Sequence, residues 1–470
     1  MRRLVAVGSV AGMLLGMTVV GTAWPAATTY RPGATGAGDA YFPSHGNGGY
    51  DVRSYALDLR YDPDTDQLSG SATIRSVATQ PLSSFTLDLV GLVVDDAQVA
   101  GLPAVVHRDG RDLTLDPAAG IDKGATFTTV VTYHGKPRHP TTAALGPNGW
   151  FHTADGAIVV GEPSSSAVWF PSNDHPTDKA KLRLQMTVPP GLKALGNGLQ
   201  GTTTTGTDGW RTFRWHTTKP LATYLSTVAI GKFRVHRSTT ANGAPVLLAV
   251  DSSLGRHVDR QLRKTERVAQ FHEKWLGRYP FESVGGIVDV APIGFALETQ
   301  TIPVYSSEFF PKGRDASGVI AHELSHQWFG DSVSVRRWKD IWLNEGFATY
   351  AEWRWTAKQR GTSAEQLARN AYSSYSRRAP LWDVVIGDPG PRRLFDIAVY
   401  YRGGMTLAQL HDRMGGTRFN QLMRGWVRDH RDGHGTTRDF IRRSEAACAC
   451  GSLTPFFDRW LFSAGKPRWK

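Results

Sequence analysis

The chain has 470 residues, 40% hydrophobic and 20% charged, a balance that excludes a disordered polypeptide. The length excludes one ordinary domain and favours two or three. The formal net charge is +12, but no nucleic-acid-binding motif accompanies it, so the excess is read as a solvated basic surface with no nucleic-acid partner.

Residues 1–27, MRRLVAVGSVAGMLLGMTVVGTAWPAA, combine a basic start, a long apolar stretch and small residues near Ala23. That pattern predicts a secretory signal peptide; the competing reading is an uncleaved membrane anchor. No later segment is apolar enough to span a bilayer. The mature protein is therefore expected to be secreted or extracytoplasmic, soluble, and free of stable membrane insertion. Residues 28–49 are rich in Gly, Ala and Thr and read as a mobile arm.

From Tyr50 the chain alternates. YDVRSYALDLRYDP, QLSGSATIRSVAT, SSFTLDLVGLVVDDAQVAG, DLTLDPAAG, TFTTVVTYHG, AKLRLQMTVPPG and TFRWHTT read as strands separated by turn residues, a β domain over 50–233. Residues 234–470 read as a mostly helical domain on a small sheet. RQLRKTERVAQFHEKWLGRYP carries a helical apolar face of Leu262, Val268, Phe271 and Trp275, closed by Gly277 and Pro280. GGIVDVAPIGFALETQTIPVYSS reads as edge strands. RDASGVIAHELSHQWFG is the next helix, with Asp315 or Ser317 as N-cap and Gly330 as its stop. Helices follow in NEGFATYAEWRWTAKQR, VYYRGGMTLAQLHDRM and TPFFDRWLFS. Cys448 and Cys450, in ACACG, are one residue apart, poor geometry for a disulfide; they are expected to be two unlinked, half-buried residues.

The stretch HELSHQWFG poses the chemical question. His322 and His326 lie four apart, so a helix presents both imidazoles to one cation. Glu323, one step round, can approach a water at that cation without being a ligand. The bland alternative is a helix with one surface and one core histidine. Against it stands WKDIWLNEGFATY, where Glu345 opens a second predicted helix with eighteen residues between it and His326. Two neutral histidines and one carboxylate leave a zinc position open, the arrangement of a catalytic site.

HELSHQWFGDSVS followed by WKDIWLNEGFATYAEW resembles the zinc aminopeptidases of the aminopeptidase N type, a family that includes the leukotriene hydrolase branch. The resemblance runs from about Tyr50 to the C-terminus. It implies a saddle-like β domain followed by a thermolysin-like α/β, mostly helical catalytic domain, with the active site between them. It implies one zinc ion held by His322, His326 and Glu345, with Glu323 as general base. GFALETQ is similar to the family's exopeptidase loop GAMEN, which makes Glu298 a ligand of the substrate α-amine and puts Ala296 among the substrate-binding residues. There Phe295 replaces Gly, Leu297 Met and Thr299 Asn. GEPSSSAVWFPSNDHPTDKA resembles a β-domain motif that would place Glu162 on the same amine. VYYRGG resembles a Tyr-x-Lys-Gly segment, so Tyr400 is expected to support the oxyanion, with Arg402 in place of Lys and Tyr401 turned away. Long members continue into a β-sandwich and a helical cap; FFDRWLFSAGKPRWK looks like the last helix of a catalytic domain, and the cap is expected to be missing. The resemblance implies an aminopeptidase acting on peptides with a free N-terminus; with the signal-like segment it is read as secreted, and it is expected to be a monomer. A zinc endopeptidase, a non-peptide hydrolase and a catalytically silent binding module are the alternatives.

Overall fold

The computed structural model describes residues 28–469 together with Met1 and residues 4–8. The expected signal peptide therefore lies largely outside the described residues. Among the described residues, no helix is long and apolar enough to cross a membrane.

The first half of the described chain is built of strands. A nine-stranded sheet is centred on β1 (Tyr50–Asp62), β2 (Gln67–Ala78), β3 (Val93–Val99), β4 (Thr126–Gly135), β5 (Lys181–Val188) and β6 (Arg211–His216), in the order β6-β5-β1-β2-β4-β3. All neighbours are antiparallel except β5 on β1. Along β1, Val52, Tyr55, Leu57, Leu59 and Tyr61 are buried while Arg53, Asp58 and Arg60 face out, the period-two pattern of a sheet with one wet face. A smaller sheet is built of Gly149–Thr153, Gly156–Val160, Val228–Gly231 and Lys193–Gly196. The strand Gly156–Val160 delivers Glu162 two residues past its end.

The second half opens on a five-stranded sheet of β7 (Phe233–Thr239), β8 (Pro245–Asp251), β9 (Val284–Asp289), β10 (Ala296–Leu297) and β11 (Val304–Ser306), ordered β7-β8-β9-β11-β10. β8 and β9 are parallel, joined through α1 (Arg256–Leu262) and α2 (Thr265–Leu276). The expectation of edge strands over 285–307 is corrected here: β9 and β11 are interior and fully buried, and β10 alone of these three lies at the rim. A run buried on both faces carries no alternation, so its sequence does not say where in a sheet it sits. The helices α3 (Ser317–His326), α4 (Trp342–Arg360), α5 (Ala364–Ser374), α6 (Ile397–Met414), α7 (Gly416–Asp429), α8 (Thr437–Cys448) and α9 (Thr454–Leu461) pack beyond it.

Three further expectations change. Residues 28–49 lie across both halves: Arg31–Pro32 pairs with Leu82–Asp88, and the buried Asp39 carboxylate accepts the Trp338 N–H at 2.8 Å. The Tyr41 hydroxyl bonds Asp388 and accepts the Gly390 N–H. Helix α3 stops at His326, before Gly330, and its N-cap is Ala316 rather than Asp315 or Ser317; Asp315, one residue earlier, accepts the Ser317 N–H at 2.8 Å. Cys448 and Cys450 form a disulfide: α8 ends at Cys448 and Ala449 turns left-handed at φ 45°, which brings the two Cα atoms to 5.1 Å.

Two glycines set the spacing of α4 and α6. A Cβ placed on Gly346 would lie 2.7 Å from the Gly403 Cα, and one on Gly403 would lie 2.6 Å from the Gly346 Cα. The two backbones therefore touch at their crossing, and nothing larger than glycine fits either side. Gly403→Ala is expected to destabilise the protein by roughly 1–3 kcal/mol, because backbone must move to admit the methyl group. A thermal unfolding midpoint equal to that of the parent protein would refute this packing.

Candidate active site

The apolar face of α3 is sealed against the protein, so its polar residues occupy positions that only a buried site can use. Residues Ile320 to His326 are all buried, His322 and Glu323 being the most open at 9% and 6% exposure. The imidazole centroids of His322 and His326 are 5.0 Å apart. Glu345, in the first turn of α4, completes the group: its Oε2 is 3.2 Å from His322 Nε2 and 3.5 Å from His326 Nε2. Three ligand atoms of a tetrahedral zinc are separated by about 3.4 Å, given bonds of about 2.1 Å, so these spacings suit that ion.

The outer nitrogens are also engaged. His326 Nδ1 donates to the Phe329 carbonyl at 2.9 Å, which fixes the tautomer that leaves Nε2 free as a metal ligand. His322 Nδ1 faces Glu352 Oε2 at 3.4 Å. Glu352 lies seven residues beyond Glu345, two turns along the same helix face. That spacing was readable in sequence and was missed.

A cavity of about 400 Å³ opens over this group, lined by Glu162, Ala296, Glu298, Glu323, Tyr400 and the three ligand residues, with Phe295, Phe309 and Phe395 among its apolar walls. All of the sequence-derived site residues thus meet in one place. Tyr400 stacks on His322 with ring centroids 5.8 Å apart, whereas Tyr401 turns away onto Trp353 and Tyr375. Arg402 also faces away. Its buried guanidinium donates to the carbonyls of Trp382, Val384, Arg459, Trp460 and Ser463, anchoring the end of α9. Ala296 lies on the rim strand β10, with Glu298 just beyond it.

Glu298 and Glu162 are each 2% exposed. The Tyr224 hydroxyl donates to Glu298 at 3.4 Å, and Glu162 Oε1 has no hydrogen-bond partner. Tyr224 sits in a short 3-10 turn of the β half; no sequence signal marked it. Burial pushes both carboxyls above the usual range, and for Glu162 the Glu298 charge adds to the effect. Burial also pushes Glu323 up, to about 7, against the two histidines, which pull it down. Tyr400 is held far above the ordinary phenol value by burial and by the Glu345 carboxylate, so its hydroxyl keeps its proton and can donate. His326 loses by burial but gains more from Glu298 and Glu345, and rises to about 9. Four buried carboxylates share this cavity with two imidazoles. The donor set demands positive charge, and a divalent ion supplies it.

Two family models match the chain: the peptidase M1 N-terminal domain over residues 51–225 and the peptidase family M1 domain over residues 303–460. The chain is similar to an aminopeptidase N of Acetobacter pasteurianus, 28% identical over 323 residues, covering 63% of this chain and 88% of that protein. It is similar to a probable aminopeptidase 1 of Saccharolobus solfataricus, 26% identical over 319 residues, covering 64% of this chain but 40% of the relative. Among solved structures, an M1 zinc metallopeptidase of Deinococcus radiodurans superposes with a TM-score of 0.84 at 27% identity, covering 92% of this chain and 98% of that one. A mutant of the Deinococcus enzyme bound to a Tyr-Ser-Ala substrate matches with a TM-score of 0.83 at 26% identity, over 92% and 99% of the two chains.

Zinc affinity should depend on the outer partner of His322. Glu352→Gln is expected to weaken zinc binding by roughly 10- to 100-fold. Competition with a chelator, followed by metal analysis, reads this directly; unchanged affinity would remove Glu352 from the metal's support.

Proposed function

Because this chain belongs to the M1 family of zinc metallopeptidases, matching its N-terminal and catalytic domains in order, we propose that it is a secreted aminopeptidase that removes N-terminal residues from peptides. The observation that carries the reading is the buried pair Glu298 and Glu162, with an unpartnered carboxylate oxygen beside the cluster His322, His326 and Glu345. Two carboxylates out of water favour an ammonium group and reject an acylated nitrogen, because the latter leaves both uncompensated. The fold and the order of the motifs are those of the similar enzymes, and the relatives named aminopeptidase support the exopeptidase reading. The basic and apolar N-terminal stretch supports secretion.

His322, His326 and Glu345 would hold the zinc ion. When bound, zinc supplies Lewis acidity, which polarises a carbonyl and makes water nucleophilic near neutral pH. Glu298 and Glu162 seat the substrate amine, and this fixes which peptide bond lies over the cluster. Glu323, next to His322 on α3, takes the proton from the attacking water and returns it to the leaving amine. Tyr400 donates a hydrogen bond to the oxygen on which negative charge develops. Phe295, Phe309 and Phe395 give the cavity apolar walls beside these charges.

Free and N-acetylated aminoacyl amides test this. The free amides are expected to be hydrolysed and the acetylated ones spared. Glu323→Gln should lose about a thousandfold in kcat while still binding zinc. Equal turnover of both substrate sets would sink the exopeptidase reading and favour an endopeptidase.

The pH profile of kcat/KM should be bell-shaped. Glu298 and Glu162 bind an amine only when ionised, and burial raises both pKa values, so binding is lost as pH falls through values above the usual ~4.3 of a glutamate. The amine itself must be protonated, so binding is lost again as pH rises through ~8. A kcat/KM that continued to rise above that point would contradict ammonium recognition.

A further inference from the structure

Gln327 follows His326 and lies one helical turn beyond Glu323. It is fully buried and belongs neither to the metal ligands nor to the cavity wall. Its carboxamide nevertheless makes three hydrogen bonds, two of them to the loop that carries Glu298. Nε2 donates to the Glu298 carbonyl at 2.9 Å. Oε1 accepts the Thr301 N–H at 2.8 Å and the Tyr279 hydroxyl at 3.0 Å.

This loop needs such support. Thr301 adopts φ +72°, a left-handed conformation that a β-branched residue takes only when its surroundings enforce it. On its other side the loop is held by the β half: Asn197 Nδ2 donates to the Gln300 carbonyl at 2.7 Å, and the Gly198 N–H donates to Thr301 Oγ1 at 2.7 Å. The Glu298 backbone is thus tied to the helix bearing Glu323 by one side chain with both a donor and an acceptor. A carboxamide suits this task because it can serve a carbonyl and an N–H at once without burying a charge.

We infer that Gln327 is a positioning residue: it fixes the amine seat at Glu298 relative to the general base Glu323, and so sets how well a substrate's N-terminus is held over the reacting bond. This rests on the reading of Glu298 as an amine ligand given above. Loss of the clamp lets Glu298 shift while the metal ligands stay in place. The expected signature is weaker binding of free-amine substrates with the chemical step largely intact.

Gln327→Met and Gln327→Glu test this, in the full chain with zinc bound, on free and N-acetylated aminoacyl amides. Gln327→Met keeps the length and removes every hydrogen bond. It is expected to retain zinc by metal analysis, to raise KM for free amides about tenfold, and to lower kcat by less than about threefold. A zinc-loaded Gln327→Met with the parent KM, or with the loss confined to kcat, overturns the inference. If Gln327→Met fails to fold, Gln327→Glu decides. Once its carboxyl is ionised it keeps the acceptor for Thr301 and loses the donor to Glu298, and its KM should then rise at least about threefold; a KM equal to the parent's at every pH overturns the inference. The acetylated amides separate the two claims. Should the parent enzyme cleave them as well as the free ones, the amine seat itself is wrong. Should it spare them while both variants keep the parent KM, the clamp alone is wrong.

Discussion

Gly346 and Gly403 bring the backbones of α4 and α6 into contact, and the catalytic geometry is built outward from that crossing. Glu345 is the residue before Gly346. Tyr400 lies three residues before Gly403, close to one turn away along its helix. The contact therefore sets how near a metal-ligand carboxylate and a phenol can stand. Helix α3 packs on α4 from another side and adds two imidazoles and a second carboxylate. Three helices whose residues are far apart in sequence thus share one small volume. Helix packing usually places axes 8–10 Å apart, and paired glycines permit a closer approach.

Electrostatics explains why such a crowded site suits a divalent ion. Glu162, Glu298, Glu323 and Glu345 are all nearly fully buried, and their pKa directions differ with their surroundings. Burial raises the first three. Glu345 is held low despite its burial, because His326 and His322 both face it. The two carboxylates thus differ: Glu345 stays ionised, as the proposed ligand role requires, while Glu323 sits in the range where a carboxylate can both take and release a proton. Burial makes the charged forms of Glu162 and Glu298 costly, so an ammonium group beside them would be welcome. In the proposed reading, the substrate amine supplies that group.

Several elements were plain in the sequence because local rules govern them. The alternation of YDVRSYALDLRYDP decides which residues of β1 face the core, and the structure buries Tyr55, Leu57 and Leu59 accordingly. The four-residue spacing of His322 and His326 puts both on one side of any helix. Other elements were misjudged where local rules fall silent. β9 has no alternation because both its faces are covered, so it gave no hint that it was interior. Residues 28–49 have the composition of a free arm, yet Asp39 finds its partner at Trp338, nearly 300 positions away. The pairing of Cys448 with Cys450 depends on the left-handed turn at Ala449, a conformation unusual for alanine that the sequence did not announce.

The β-then-helical order and the convergence of His322, His326 and Glu345 were legible in the sequence. Each follows from a fixed period or spacing, and the helix repeat converts such a spacing directly into direction. Only the tertiary packing decides that Tyr224 meets Glu298 and that Gln327 holds the loop of Glu298. Those contacts join segments tens of residues apart. Their distances come from how sheets and helices pack, which no single segment encodes.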